Sequence, residues 1–203
     1  IILDVDGTLW DSTAEVARSW RKTCGRLGVP SSHITPERLK NEFGKTLEDI
    51  GFSLFPDLPK EEAIRITREA CDDENAYLMK DHPSVYEGVQ ELMRELKARG
   101  IPVYIVSNCQ SGYIEVLTAV SGLAPYVADH LCAGDTGVPK AETLRIAVKK
   151  WGLKSPVYVG DTAGDEKSAG EAGIPFIHAS YGFGTAANPV AVIDGPMGLL
   201  ELV

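Results

Sequence analysis

The sequence predicts an α/β fold in which a parallel sheet is covered by helices on both faces and is interrupted early by a small all-helical insert. Three observations carry this. From residue 87 onward, short runs rich in Val and Ile alternate with amphipathic segments of helical period. The runs are continuously apolar rather than alternating, as expected of strands buried on both faces. Between the first run and the second, some 68 residues (13–80) carry no strand pattern, far more than the ~10–12 that a simple crossover needs.

Taken in order, Ile1–Val5 reads as the first strand. Thr13–Leu27 follows as a helix with Ala17, Trp20, Cys24 and Leu27 at three- and four-residue steps, and Ser12 or Thr13 is positioned to cap it. Thr35-Pro36-Glu37 opens a second helix, with proline at its first position, and Lys60–Met79 forms a third, long one. Glu87–Arg99 aligns Val89, Leu92, Met93 and Leu96 on one face and stops at Gly100. Ile101–Val106 is the second strand and Ile114–Val120 the next helix. His130–Ala133 is a weaker strand. Ala141–Trp151 places Leu144, Ala147, Val148 and Trp151 together and is followed by Gly152. Pro156–Val159 and Ile174–His178 are strands on either side of a helix over Glu166–Ala172, and Val190–Ile193 is an edge strand. The expected organisation is a core of residues 1–12 and 81–203 with an insert over 13–80. There are no internal repeats or low-complexity tracts.

Composition narrows the partners. Hydrophobic residues make up 44% and charged residues 24%, ordinary for a globular chain with a buried core. No apolar run approaches the ~18 residues of a membrane span, so no membrane partner is expected. The opening residues carry neither a basic leader nor a small-residue cleavage site, and no signal peptide is expected. The four cysteines, Cys24, Cys71, Cys109 and Cys132, are scattered without zinc-type spacing, which points to reduced thiols and a cytoplasmic location. With 20 basic against 29 acidic residues the net charge is −9. Nucleic acid is therefore not an expected partner, and an anionic substrate would need local cations, from side chains or a metal.

In open parallel sheets, ligands bind outside the carboxyl ends of the strands. The first strand delivers Asp4-Val5-Asp6-Gly7-Thr8 there, the second Ser107-Asn108, and the fourth Gly160-Asp161-Thr162, with Asp165 one helical turn on. Lys140 follows the third strand after a loop. Asp4 and Asp6 are separated by one residue and would repel each other in a regular strand. Gly7 implies a bend after them, and a hard divalent cation such as Mg2+ would relieve the repulsion. A lone Asp-Gly pair is an ordinary turn. It is the set of acids, hydroxyl and ammonium at strand ends that points to chemistry.

Asp4-Val5-Asp6-Gly7-Thr8-Leu9 after an apolar strand resembles the first motif of the haloacid dehalogenase-like (HAD) hydrolase superfamily. Val103–Asn108 is similar to its second motif, Lys140 sits where its third-motif lysine is expected, and Val159-Gly160-Asp161-Thr162-Ala163-Gly164-Asp165 resembles its fourth. The match runs the length of the chain in the right order. The insert resembles the helical cap of the phosphoglycolate phosphatase-like subgroup. The resemblance implies a Rossmann-like catalytic core and an Mg2+-dependent phosphatase acting on a small phosphorylated metabolite, phosphoglycolate or a sugar phosphate, through an aspartyl phosphate. It implies Asp4 as nucleophile, Asp6 as general acid and base, and Ser107, Asn108 and Lys140 as phosphate-binding groups. Asp4, Asp6 (by its carbonyl) and Asp161 are implied metal ligands, with Asp165 either a ligand or a support for Lys140 or a metal-bound water. Dehalogenase members lack a second acid at the position of Asp6, so a haloacid substrate is disfavoured. Gly44 and Lys45 fall where related capped enzymes read the substrate, though an ordinary turn with a solvated lysine fits them equally.

Weaker signals have plainer readings. Tyr181-Gly182-Phe183-Gly184 reads as a tight loop beside the site, His178 as a packed histidine, and Trp10 as either a wall of the entrance or a hydrophobic staple for the helical insert. Two other functions remain: a phosphomutase of the β-phosphoglucomutase type, which needs a second phosphate site, and a non-enzymatic phospho-receiver or phosphate-binding domain. A receiver would not carry a 68-residue helical insert after its first strand. The oligomeric state is not expressed in the sequence.

Overall fold

The computed structural model describes residues 1–203, which form two compact units, Ile1–Asp11 with Ser84–Val203 and Ser12–Pro83. The chain begins in β1, Ile2–Leu3, and then enters the helical unit: α1 (Thr13–Leu27), α2 (Pro36–Lys40), α3 (Leu47–Leu54) and α4 (Lys60–Leu78). It returns through α5 (Val89–Ala98), β2 (Val103–Ser107), α6 (Tyr113–Ser121), β3 (Val127–Cys132), the single turn α7 (Ala133–Thr136), α8 (Lys140–Trp151), β4 (Tyr158–Gly160), α9 (Ala163–Ala172), β5 (Phe176–Ala179) and β6 (Ala191–Ile193). No helix is long and apolar enough to cross a membrane.

In the helical unit, α1 and α4 bury Val16, Ala17, Trp20 and Cys24 with Ala63, Ile66, Ala70 and Cys71. Arg26 bridges Glu69 and Asp73 at 2.6 Å each along their margin. Two expectations are corrected here. Ser12 is the N-cap residue of α1 but makes no side-chain capping bond, because its backbone is not in the extended conformation that aims a cap (φ −90°, ψ 1°). The three expected helices are joined by a fourth, α3. It starts where Thr46 caps it by accepting from the Asp49 N–H at 3.2 Å.

The other unit is a six-stranded parallel sheet in the order β3-β2-β1-β4-β5-β6. Ile2 lies opposite both Tyr104 and Tyr158, and Leu3 opposite both Ile105 and Val159. The core includes Ile2, Val106, Leu144, Ala147, Tyr158, Ala169, Ile174 and Phe176. The first strand is shorter than Ile1–Val5 because the chain turns sharply after it: the N–H groups of Thr8 and Leu9 both donate to the Val5 carbonyl, at 3.1 and 2.7 Å. Strand order runs outward from β1 in one direction and from β4 in the other. The crevice at their carboxyl ends is therefore the topological switch point, where such sheets bind ligands.

Candidate active site

Asp4 and Asp161 stand at that crevice because each directly follows one of the two strands that flank it. The Asp4 N–H donates to Val159 O at 2.9 Å, which fixes its backbone against β4. Gly7 has φ +79°, a conformation that favours glycine. A Cβ at Gly7 would also collide with the Asp161 carboxylate, and one at Gly182 would strike Asp161 and the Gly7 carbonyl. The two glycines are what let these segments close around Asp161.

Lys140 is the first residue of α8 and is 1% exposed. Its Nζ donates to Asp4 Oδ1 at 3.0 Å and Asp165 Oδ1 at 2.6 Å. Burial alone would lower its pKa, but Asp165 and Asp4 outweigh burial and hold it above the ordinary lysine range. Asp165 is held below the carboxylate range because Lys140 and Thr162 outweigh its burial. Its two oxygens are shared out: Oδ1 takes Lys140 and the Tyr158 hydroxyl (3.3 Å), while Oδ2 takes the Thr162 N–H (3.0 Å) and hydroxyl (2.6 Å). Thr162 in turn accepts from the Asp165 N–H, which completes a capping box at the start of α9.

Asp4 and Asp161 behave differently. Burial pushes Asp4 up to about 6 despite Lys140. Burial, with Asp165 and Asp4 nearby, pushes Asp161 up to about 8, although the Phe183 N–H donates to its Oδ2 at 2.7 Å. Asp161 Oδ1 is buried with no hydrogen-bond partner, an arrangement that costs folding free energy unless something compensates it. Asp4, Asp161 and Asp165 each offer an oxygen within 4.8 Å of the others. All-oxygen donors, one of them unpartnered, fit a hard divalent cation.

Asp6 lies in the turn after Asp4. Its Oδ1 accepts from Trp10 Nε1 at 3.0 Å and from the Tyr113 hydroxyl at 2.8 Å. Trp10 is fully buried and meets Tyr113 edge to face at 5.7 Å, so it is not an exposed wall. Ser107 ends β2, and its Oγ accepts from the Cys109 N–H at 3.3 Å, with Asn108 between them. The Tyr181–Gly184 segment is a clamp: the Tyr181 hydroxyl donates to Thr8 O at 2.9 Å, and Phe183 holds Asp161. His178 is packed, with Nε2 3.1 Å from the Asp161 carbonyl. Gly44 and Lys45 belong to the helical unit, where Lys45 Nζ pairs with buried Glu42 at 2.7 Å. Glu42 is also bound by Ser53 (2.7 Å) and Arg38 (3.1 Å).

Sequence reasoning did not single out Tyr113, Tyr158 or the Phe183 N–H as parts of this site. Only Trp10 had a local signal, lying four residues from Asp6 across a tight turn. Tyr113 and Tyr158 come from distant segments whose pattern marks them simply as core.

The sequence matches the model of the haloacid dehalogenase-like hydrolase family over residues 1–179. It is 27% identical to a phosphoglycolate phosphatase of Vibrio parahaemolyticus over all of this chain and 95% of that protein. Among solved structures, a haloacid dehalogenase-like family hydrolase from Streptococcus pneumoniae superposes with a TM-score of 0.83 at 22% identity, covering 99% of this chain and 96% of that one. CbbY from Rhodobacter sphaeroides, crystallised with xylulose-(1,5)bisphosphate, gives a TM-score of 0.77 at 18% identity over 96% and 93% of the two chains. At these identities the two structures speak to the fold.

Proposed function

The chain belongs to the haloacid dehalogenase-like hydrolase family as a phosphatase, and on that premise we propose that it hydrolyses a small phosphorylated metabolite, phosphoglycolate or a sugar phosphate, through a phosphorylated Asp4 and with Mg2+ as cofactor. The observation that carries this is the buried Lys140 ammonium set between Asp4 and Asp165, with an unpartnered Asp161 oxygen in the same cluster. An aspartate meeting a phosphate ester is anion meeting anion, and catalysis of phosphoryl transfer rests mostly on positioning and cationic stabilisation.

Asp4 attacks phosphorus as the ester P–O bond breaks, and the departing oxygen takes a proton from Asp6. Water then adds to the phosphorylated Asp4, giving its proton to Asp6, and the Asp4–phosphorus bond breaks to release inorganic phosphate. Asp6 thus serves as acid and then base, a role typically worth ~10²–10⁴-fold. Lys140 neutralises Asp4 and the arriving phosphoryl oxygens, and Ser107 and Asn108 bind those oxygens. Mg2+, held by Asp4, Asp161 and the Asp6 carbonyl, would add positive charge where the phosphoryl group carries negative charge. Asp165 already spends both oxygens on Lys140, Tyr158 and Thr162, so its role is to hold Lys140. Lys45 and Gly44 are assigned to substrate selection on family resemblance. A cytoplasmic location belongs to the same proposal, in keeping with four free cysteines.

The test is phosphate release from a panel of phosphorylated metabolites, phosphoglycolate and hexose phosphates included, with Mg2+ and without any bisphosphate primer. Wild type should release phosphate from at least one, and Asp4→Asn should reduce the rate by several orders of magnitude while keeping the wild-type circular dichroism spectrum. Equal rates for the two proteins would refute the assignment of Asp4.

A further inference from the structure

We propose that Tyr113, acting with Trp10, is a positioning residue that fixes which oxygen of Asp6 exchanges protons with the substrate. The inference rests on the proposed role of Asp6 and adds to it the device that makes one carboxylate serve two opposite steps.

A carboxylate that must give a proton to a leaving oxygen and later take one from water has two equivalent oxygens and a rotatable bond. Unless it is held, the proton divides between two places and the productive orientation is only one of several. Here Asp6 Oδ1 receives two donors, the Tyr113 hydroxyl at 2.8 Å and Trp10 Nε1 at 3.0 Å. Two donors occupy the accepting directions of one oxygen, so in the acid form the proton resides on Oδ2. Both contacts persist when Oδ2 gains or loses that proton, because Oδ1 remains an acceptor in either state. The same pair of donors therefore holds Asp6 through both halves of the reaction.

The donors are themselves rigid. Trp10 is fully buried and Tyr113 is 1% exposed. Their rings meet edge to face at 5.7 Å and 72°, a favoured aromatic geometry. Trp10 sits in the turn that follows β1 and is bridged on both sides, to Asp6 and to Val85. Tyr113 opens α6 directly after Gly112, which adopts the left-handed conformation at the helix start. Two separate segments thus converge on one oxygen, and neither side chain has a titrating group needed by the chemistry.

Tyr113→Phe keeps the ring and removes the hydroxyl. The readout is kcat/KM with saturating Mg2+ for phosphate monoesters whose leaving groups range from alkyl alcohols to p-nitrophenol, with inorganic phosphate as a competitive inhibitor. Esters of alkyl alcohols need the proton from Asp6, whereas p-nitrophenolate leaves without it. We expect about 10-fold or more loss of kcat/KM for alkyl esters, a part of the full acid–base contribution, a distinctly smaller loss of kcat/KM for p-nitrophenyl phosphate, and unaltered inhibition by phosphate. Trp10→Phe should give the same selective loss, and serves if Tyr113→Phe does not fold. Asp6→Asn should show the same leaving-group selectivity in kcat/KM more strongly, and should also lower kcat for every ester, p-nitrophenyl phosphate included, because hydrolysis of phosphorylated Asp4 needs Asp6 as base. If Asp6→Asn is selective but both Tyr113→Phe and Trp10→Phe slow all esters equally, the positioning role is overturned and the role of Asp6 stands. If Asp6→Asn shows no selectivity, or wild type releases no phosphate from any ester, the assignment of Asp6 fails and the inference with it.

Discussion

Stripped of divalent cations, the protein should lose stability as pH rises from 5 to 8, and Mg2+ should restore it. Asp161 is pushed up to about 8 and Asp4 to about 6, each from an ordinary value of 3.8. A carboxyl raised in the folded state binds its proton more tightly there than in the unfolded chain. Its stabilising contribution is therefore complete below pH 3.8 and is lost as pH climbs through the folded value. Asp165, shifted the other way, titrates below this window and does not offset the trend. At about 1.4 kcal/mol per pH unit for each proton, Asp161 would contribute a loss of roughly 4 kcal/mol between pH 5 and 8 and Asp4 roughly 1. Water entry and small carboxylate movements reduce the figure, so a loss of ~2–5 kcal/mol is expected. A cation at one hundred times its dissociation constant returns about 2.7 kcal/mol. The assay is urea denaturation of chelator-treated protein at pH 5 and pH 8, with and without Mg2+, alongside Asp161→Asn. The asparagine variant should lose most of the slope and most of the response to Mg2+. Equal stability of the metal-free wild type at the two pH values, or an unchanged slope in Asp161→Asn, would refute the reasoning.

Other perturbations test other parts of the cluster. Lys140→Met leaves Asp4 and Asp165 buried without their cation and should cost ~3–5 kcal/mol, as removal of one partner of a buried ion pair does; the midpoint of thermal unfolding and phosphate release should both fall. Gly182→Ala places a methyl group against Asp161 and the Gly7 carbonyl, and calorimetric titration should show Mg2+ binding weakened by about tenfold or more, the scale on which groups supporting a metal site act. Lys45→Ala should shift the ratio of kcat/KM values among phosphorylated metabolites more than it changes hydrolysis of p-nitrophenyl phosphate. A uniform effect on all substrates would return Lys45 to an ordinary partner of Glu42.

Most of the parallel sheet was legible because its central strands are compact apolar runs, and the strand-end rule then pointed to the residues that follow β1 and β4. β3 is the exception, since Asp129 and His130 interrupt its apolar pattern, and it runs over Val127–Cys132 rather than His130–Ala133, with Ala133 opening α7. What the pattern could not express is how many of those residues remain extended. β1 has only two strand residues because Val5 O gathers the turn that presents Asp6. The helix α3 was hidden because eight residues are too few for a helical period to stand out. Within the site, Asp165 was visible as an acid one turn into α9, but its capping box with Thr162 and its grip on Lys140 depend on contacts between segments. The Tyr113 hydroxyl on Asp6 and the Phe183 N–H on Asp161 are of the same kind. They join positions 107 and 22 residues apart, and nothing in local periodicity marks which core tyrosine or which loop amide will do so.

The charge distribution also bears on whether water or a sugar hydroxyl receives the phosphoryl group. A mutase must hold a second phosphate while the first is transferred, which calls for cations not already neutralised. In the helical unit five cations are committed to acids: Arg18 to Glu15 and Asp81, Arg26 to Glu69 and Asp73, Arg65 to Glu62 and Glu69, and both Arg38 and Lys45 to the single buried carboxylate of Glu42. Two cations on one buried acid leave the Gly44-Lys45 segment with about one net positive charge to offer. On the proposed role of Gly44 and Lys45 in substrate selection, that would suit the lone carboxylate of a substrate such as phosphoglycolate better than a second phosphate, which carries nearly two negative charges near neutral pH. On the same proposal, a chain of net charge −9 would act on anions because its attraction is concentrated at Lys140 and a bound cation, and a substrate that carries little charge beyond its phosphate would meet the least repulsion elsewhere.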